Sequence, residues 1–246
     1  MLFDSTRPAG EPDLMRVSVF QRYLDELATT PGAEAISTRL SLLGPSLMQD
    51  LMRFEREGRP GEVLEVLAAC IRHSRSLLVH LGYEDRVIPV TIFPAEWLVH
   101  CPMPMAQFLE CPLSDLRVLN VEPAVLRPPG DRQRAPASEG PAWAPLGSLL
   151  WELALRGSRD DLLPEIAGNA AYRIAPGVDL RALKLVGSMG AAVQKLQRQT
   201  SSLRDIAQWP GFDRQRAMRM LNALYLQAGL MVSRTHPAAT RDGWAD

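Results

Sequence analysis

A single proline-rich stretch constrains this chain more than any other feature. Residues 123–145 read PAVLRPPGDRQRAPASEGPAWAP, dense in Pro, Gly, Ala, Ser and charge, with neither helical nor strand periodicity. Such a segment buries too little apolar surface to offset the entropy of ordering it, so it reads as a linker. It divides 246 residues into an N-terminal domain at 13–122 and a C-terminal domain at 146–236. Residues 1–12, again rich in Pro, Gly and charge, read as a second loose segment.

The division also separates charge. Residues 1–145 carry 14 Arg against 19 Asp and Glu, a net of −5, whereas residues 146–246 carry 13 Lys and Arg against 9 Asp and Glu, a net of +4. A formal total of −1 therefore hides an acidic front and a basic back. The basic back permits an anionic partner without requiring one. Arg accounts for 25 of the 27 basic residues, Lys184 and Lys195 being the others, a bias that GC-rich bacterial genomes write.

Composition excludes several classes. No apolar run is long enough to cross a membrane, since Pro89, Pro94 and Glu96 break the stretch from Val87 to Val99. The opening MLFDSTRPAGEPD lacks a basic region followed by an apolar run and a cleavage site, so no secretory leader is expected. Three cysteines make no disulfide framework. The expectation is a cytoplasmic globular protein.

In the front half, Val17, Phe20, Tyr23, Leu24 and Leu27 recur at three- and four-residue steps, an amphipathic helix stopped by Thr29-Thr30-Pro31-Gly32. A second helix runs through LMQDLMRFERE. A third begins near Gly61 and carries Val63, Leu64, Leu67, Cys70, Ile71, Leu77 and Leu78 to a stop at Gly82. RVIPVTIFP, EWLVHC and LRVLNV are then expected as three short strands, the first at an edge or bulged because Pro89 cannot donate to a ladder. The prolines at 94, 102, 104 and 112 stiffen the following region, whose Phe93, Trp97, Met103, Met105 and Phe108 read as core rather than as a partner groove.

The back half is expected to be mostly helical. SLLWELALRG and DDLLPEIAG read as helices, AYRIAP as a brief strand, and 179–199 as a helix with Leu183, Val186, Met189, Val193 and Leu196 on one arc. The most specific pattern lies at 201–234. Ser201 or Ser202 can cap a short helix LRDIAQW that Pro210-Gly211 ends, and Asp213 can cap a longer one from Arg214 to about Gln227. Ala228-Gly229 stops that helix, and LMVSR returns as a strand. At 100° per residue, Ala217, Met218, Leu221, Leu224, Tyr225 and Ala228 form an apolar stripe. Gln215, Arg216, Arg219 and Asn222 fall opposite, with side chains able to meet base edges and phosphates.

Helix, tight turn, longer helix and strand, with AGLMV at the helix-to-strand step, resembles the winged helix-turn-helix modules of bacterial regulators, MarR-type proteins among them. The resemblance implies that Gln215, Arg216, Arg219 and Asn222 lie on a recognition helix, with Ser233 and Arg234 in a wing. The chain departs from that pattern after Arg234, where THPAATRDGWAD shows no second wing strand and no basic run. Winged helices also serve as protein-docking and dimerisation modules.

No chemical signature competes with this. Cys101 and Cys111, or His73 and His80, match no zinc framework, and on a strand adjacent His100 and Cys101 point to opposite faces. P-loop, HExxH and GxSxG patterns are absent from the sequence. The expected fold class is α+β, a mixed α/β N-terminal domain followed by a mainly helical, winged-helix-like C-terminal domain. The expected function is a non-enzymatic regulator or adaptor, with no cofactor or metal, that binds a protein partner or a second copy of itself. The alternative is a DNA-binding transcriptional regulator reading its operator with helix 214–227.

Overall fold

The structure is a computed structural model and describes residues 14–29, 44–57, 62–129, 142–181, 183 and 185–239. The loose segment at 1–12 and the central part of the proline-rich stretch, 130–141, lie outside the described residues.

Helices α1 (Val17–Thr29), α2 (Pro45–Glu57) and α3 (Glu62–Arg72) open the fold. In α1, Phe20 is buried and Val17, Leu24 and Leu27 are half-buried, as the periodicity requires, but Tyr23 is exposed. Helix α3 buries Val63, Leu64, Leu67 and Cys70 and stops ten residues short of Gly82. Ser74 turns the chain at φ 48°, and residues 77–83, read from sequence as the end of the third helix, form strand β1 (Leu77–Tyr83). The reason is visible in the side chains: Leu77, Val79 and Leu81 alternate with half-exposed Leu78 and His80, a period of two.

Five antiparallel strands follow rather than three. They are β1, β2 (Arg86–Phe93), β3 (Leu98–His100), β4 (Arg117–Pro123) and β5 (Trp143–Pro145), in spatial order β4-β1-β2-β3-β5. Strand β5 corrects the linker boundary, because Trp143–Pro145 pairs with β3 instead of ending a loose connection. Pro89 sits inside β2 opposite His80, and β2 lies between β1 and β3 with an unbroken register against β1, so it is neither the edge strand nor the bulged one expected. The Pro89 nitrogen, like the Val87 N–H two residues before it, faces away from β1, whose ladder needs no donor there. One turn of helix, α4 (Met105–Phe108), precedes β4. Phe93, Met103 and Phe108 are buried, and Trp97 and Met105 half-buried, so that region does pack the interior.

The sheet has two unlike faces. Leu77, Val79, Leu81, Ile88, Val90 and Ile92 point into the main core, against which α3 and helix α5 (Leu146–Arg156) pack. His80, Val87, Pro89 and Phe93 point the other way, where α1 lies and the Phe20 ring meets His80 at 4.6 Å. Phe20, Val87 and Phe93 are buried yet stand apart from that core.

Beyond α5 the chain forms β6 (Ala171–Ile174), α6 (Gly187–Arg198), β7 (Ser201–Ser202), α7 (Leu203–Ala207), α8 (Arg214–Leu226) and β8 (Leu230–Ser233). Two expected helices shorten or vanish. DDLLPEIAG is a run of turns, broken by Pro164, and the helix expected at 179–199 spans only α6. The caps are as read: Ser202 and Asp205 form a reciprocal capping box, and the Asp213 carboxylate accepts from the Arg216 N–H at 2.7 Å. Helix α8 gives way after Gln227 to Ala228, in the left-handed region at φ 52°, with the Gly229 N–H donating to the Leu224 carbonyl at 3.0 Å.

Strands β7 and β8 flank β6 in an antiparallel sheet of order β7-β6-β8. The central strand thus precedes α6 in the chain. One core cluster runs through both halves, joining Leu64, Leu67 and Val79 of the front to Leu150, Leu163, Leu196 and Leu221 of the back. Burial on that scale stabilises through removal of apolar surface from water, about 25 cal/mol per Å2.

Candidate interaction surfaces

Helix α8 turns Asn222 and Arg219 inward and keeps Arg214, Gln215 and Arg216 exposed. Ala217, Met218, Leu221 and Leu224 are buried as the wheel requires, but Met220, Asn222, Ala223 and Leu226 are buried too, and Ala228 is exposed beyond the helix end. The second burying surface is α5 with the segment after it. Asn222 is fully buried there: its Oδ1 accepts from the Leu163 N–H at 2.8 Å, and its Nδ2 donates to the Asp161 carbonyl at 2.9 Å. Arg219 donates to the Leu155 carbonyl at 2.6 Å and to Asp160 at 2.8 Å. Gln215 donates to the same Asp160 carboxylate at 2.5 Å. Bonds from Arg219 and then Gln215 hold the Asp160 carboxyl below its ordinary range.

The sequence reading of these residues as outward contacts is therefore corrected for Asn222, which has no exposed surface; Arg219 is half-buried and turned onto Leu155 and Asp160, and Gln215 is exposed beside Asp160. The buried Leu163 N–H and the part-buried carbonyls of Leu155 and Asp161 find their partners on α8. Arg216 stays exposed, stacked on the Phe212 ring at 5.2 Å and bonded to the Gly211 carbonyl. Arg234 is exposed and donates to the carbonyls of Glu165, Ala167 and Asn169. Ser233 pairs with Ala171 of β6, so the strand that a second wing strand would join is already joined from upstream.

A polar seam ties the two halves together. The Arg72 guanidinium reaches both Asp50, at 3.2 Å, and Glu165; His73 bonds Asp50 at 2.9 Å; and Arg159 pairs with Glu65. Asp50, Glu65, Arg72 and Glu165 border a cleft of about 260 Å3 between α2, α3 and residues 163–165. Burial, and next the charge of Glu165, push the Tyr225 hydroxyl up, with Arg72 opposing. Every acid on this seam faces a base, so the cleft reads as a strut between halves.

A third surface was not legible in the sequence. On the α1 side of the front sheet, Leu14, Met15, Phe20, Tyr23, His80, Val87, Pro89 and Pro102 line an apolar groove of about 440 Å3. The main chain fixes its floor: Val17 N–H donates to the Asp85 carbonyl at 3.0 Å, Val87 N–H to the Met15 carbonyl at 2.8 Å, and the Arg86 guanidinium to the Leu14 carbonyl at 3.0 Å. Burial keeps His80 below the usual imidazole range, Glu122 opposing, and its Nδ1 is buried without a hydrogen-bond partner among the described residues. The only sequence signal was the pair of prolines, 89 and 102, whose placement side by side depends on a sheet pairing.

Among the described residues no group of three or more His, Cys, Asp or Glu is arranged to hold a metal ion, and no helix is long and apolar enough to cross a membrane. No protein-family model, curated protein or solved structure matches this chain.

Proposed function

We propose that this chain is a non-enzymatic regulatory or adaptor protein that acts through protein–protein contacts, with its C-terminal third a winged-helix-like docking module. The order α6, β7, α7, α8, β8 supports the winged-helix part, as does a three-stranded sheet whose central position β6 fills.

One observation carries the choice of partner class. A helix that reads DNA must enter the major groove with side chains free to reach base edges. Helix α8 offers only its exposed start, Arg214 to Arg216: Asn222 is buried, and the half-buried Arg219 is turned onto Leu155 and Asp160. That favours a protein-facing module over a DNA reader.

The test is fluorescence anisotropy of the full chain with labelled genomic duplex fragments at two salt concentrations. The expected result is no binding at low salt by a folded protein. Binding that weakens steeply with added salt would report phosphate contacts and counterion release, and would replace this reading by the transcriptional regulator.

A further inference from the structure

We propose that the face formed by α6 and the turn between α7 and α8 docks an acidic segment of a partner protein, whose carboxylates seat on Lys195 and Arg216. The inference rests on the reading of the chain as a protein-facing adaptor and names the chemistry of what it binds.

Positive charge is left over on this face once the chain's own pairs are made. From Gly187 to Arg219 the sequence carries Lys195, Arg198, Arg204, Arg214, Arg216 and Arg219 against Asp205 and Asp213. Asp205 is taken up in the capping box with Ser202, Asp213 accepts from the Arg216 N–H, and Arg219 is turned onto Asp160. The other five cations are exposed, and no acid among the described residues pairs with them. Elsewhere Arg72, Arg156, Arg159 and Arg181 each hold a carboxylate of the chain itself.

Two of these cations are held in place. The Lys195 ammonium lies over the Trp209 ring at 4.4 Å, and the Arg216 guanidinium over the Phe212 ring at 5.2 Å. Both rings belong to a single turn, in which the Phe212 N–H donates to the Trp209 carbonyl at 3.0 Å, and Ser188 of α6 lies beside Gly211 of that turn. Arg216 gives an N–H to the Gly211 carbonyl, and the rest of its fork is open to a carboxylate. Cations already resting on rings lose little side-chain freedom when an anion arrives. Arg198, one helical turn beyond Lys195, extends the same face.

The surroundings set the class of anion. Duplex DNA presents a continuous row of charge, one about every 1.7 Å of its axis. The exposed Asp205 and Asp213, next in the chain to Arg204 and Arg214, repel such a row. Trp209 is 8% exposed and Phe212 is half-buried beneath Arg216, so neither ring offers a face on which a single-stranded base could stack. Separate carboxylates along a protein segment can meet the cations and pass between the acids.

The test is fluorescence anisotropy of a labelled oligoglutamate peptide titrated with the full chain at two salt concentrations. An oligoglutamine peptide of equal length and a labelled duplex are the comparators. Oligoglutamate should bind with a Kd of about 10–100 µM at low salt and more weakly at high salt, and oligoglutamine should not bind. Lys195→Glu and Arg216→Glu should each weaken binding by about tenfold, and Lys195→Gln and Arg216→Gln, which only neutralise, by about threefold. Lys195→Arg should stay within about twofold of the parent, as should Arg75→Glu, which makes the same charge change at an exposed residue on the turn after α3. A parent chain that ignores oligoglutamate at low salt overturns the proposal. So does an Arg75→Glu loss equal to that of Arg216→Glu, which would report net charge rather than this face. Either result leaves the adaptor reading standing. Duplex bound at least as tightly as oligoglutamate replaces the acidic protein by nucleic acid, and of these outcomes that one alone also sinks the adaptor reading.

Discussion

Asn222 and Leu163, fifty-nine residues apart, are joined by a buried hydrogen bond in which the side chain of one substitutes for a backbone partner of the other. The Leu163 N–H belongs to a segment with no helix or strand of its own, and Asn222 also satisfies the Asp161 carbonyl. Replacing Asn222 by Leu removes both partners at once. The expected cost is about 1–3 kcal/mol, set by the buried Leu163 N–H left unpaired, since Asp161 is exposed and its carbonyl can turn to water. A urea midpoint unchanged from the parent would show that water reaches residues 161–163 and that the bonds do not anchor them.

Arg219 and Arg216 lie three residues apart on α8 but should respond differently to truncation. Arg219→Ala loses bonds to the Leu155 carbonyl and Asp160 and is expected to lower stability by about 1–3 kcal/mol. Arg216→Ala removes an exposed contact with Phe212 and the Gly211 carbonyl, for less than about 1 kcal/mol. Thermal denaturation of the two variants in parallel separates them. Equal midpoints would mean that the inward face of α8 is as dispensable as its outward one.

His80 should make the fold acid-sensitive near neutrality. Burial lowers its folded pKa below the unfolded value of about 6.5, so the unfolded chain takes up a proton that the folded chain refuses. Its contribution is therefore complete above about pH 6.5 and is lost as the pH falls through that value toward the lower folded pKa. His100, also lowered by burial, acts in the same direction. Urea midpoints at pH 7.5 and 5.5 should differ for the parent, and His80→Phe, which keeps the ring beside Phe20, should narrow the difference. The same variant removes an unpartnered buried nitrogen and should not lose stability at pH 7.5. An undiminished pH response in His80→Phe would assign the sensitivity to other groups.

The cysteines should react in a fixed order. Burial pushes the Cys70 thiol up to about 12 and Cys101 up to about 11, and both side chains are enclosed. Cys111 is half-exposed, though burial raises it as well. Thiolate is the reacting form, so brief iodoacetamide treatment of the native protein at pH 8 should label Cys111 and spare the other two. Labelling of Cys70 at a comparable rate would mean that the α3 region opens readily.

Local signals in the sequence carried far, and pairings across the chain did not. The caps at Ser202 and Asp213, the stop at Ala228-Gly229 and the brief strand at 171–174 each rest on a few consecutive residues and are found as read. Leu77 and Leu78 continue the apolar run of the third helix and so read as its end, although Leu77, Val79 and Leu81 alternate as a strand does. Asn222 falls on the polar side of the wheel, yet which surface covers that side is settled by residues 155–163. The groove unites Tyr23, His80 and Pro102, which have no common pattern in the sequence and meet only because β1 and β2 pair beneath α1.

The placement of β6 has a consequence for biosynthesis. During translation β6 emerges before both of its neighbours, and the sheet is complete only once β8 has followed. A nascent chain stalled anywhere between 175 and 229 presents a β-strand with an open hydrogen-bonding edge, the kind of template on which chains aggregate. Premature termination in this interval would therefore yield a product prone to clump and to be cleared by proteases, even though most of the hydrophobic core had already been made.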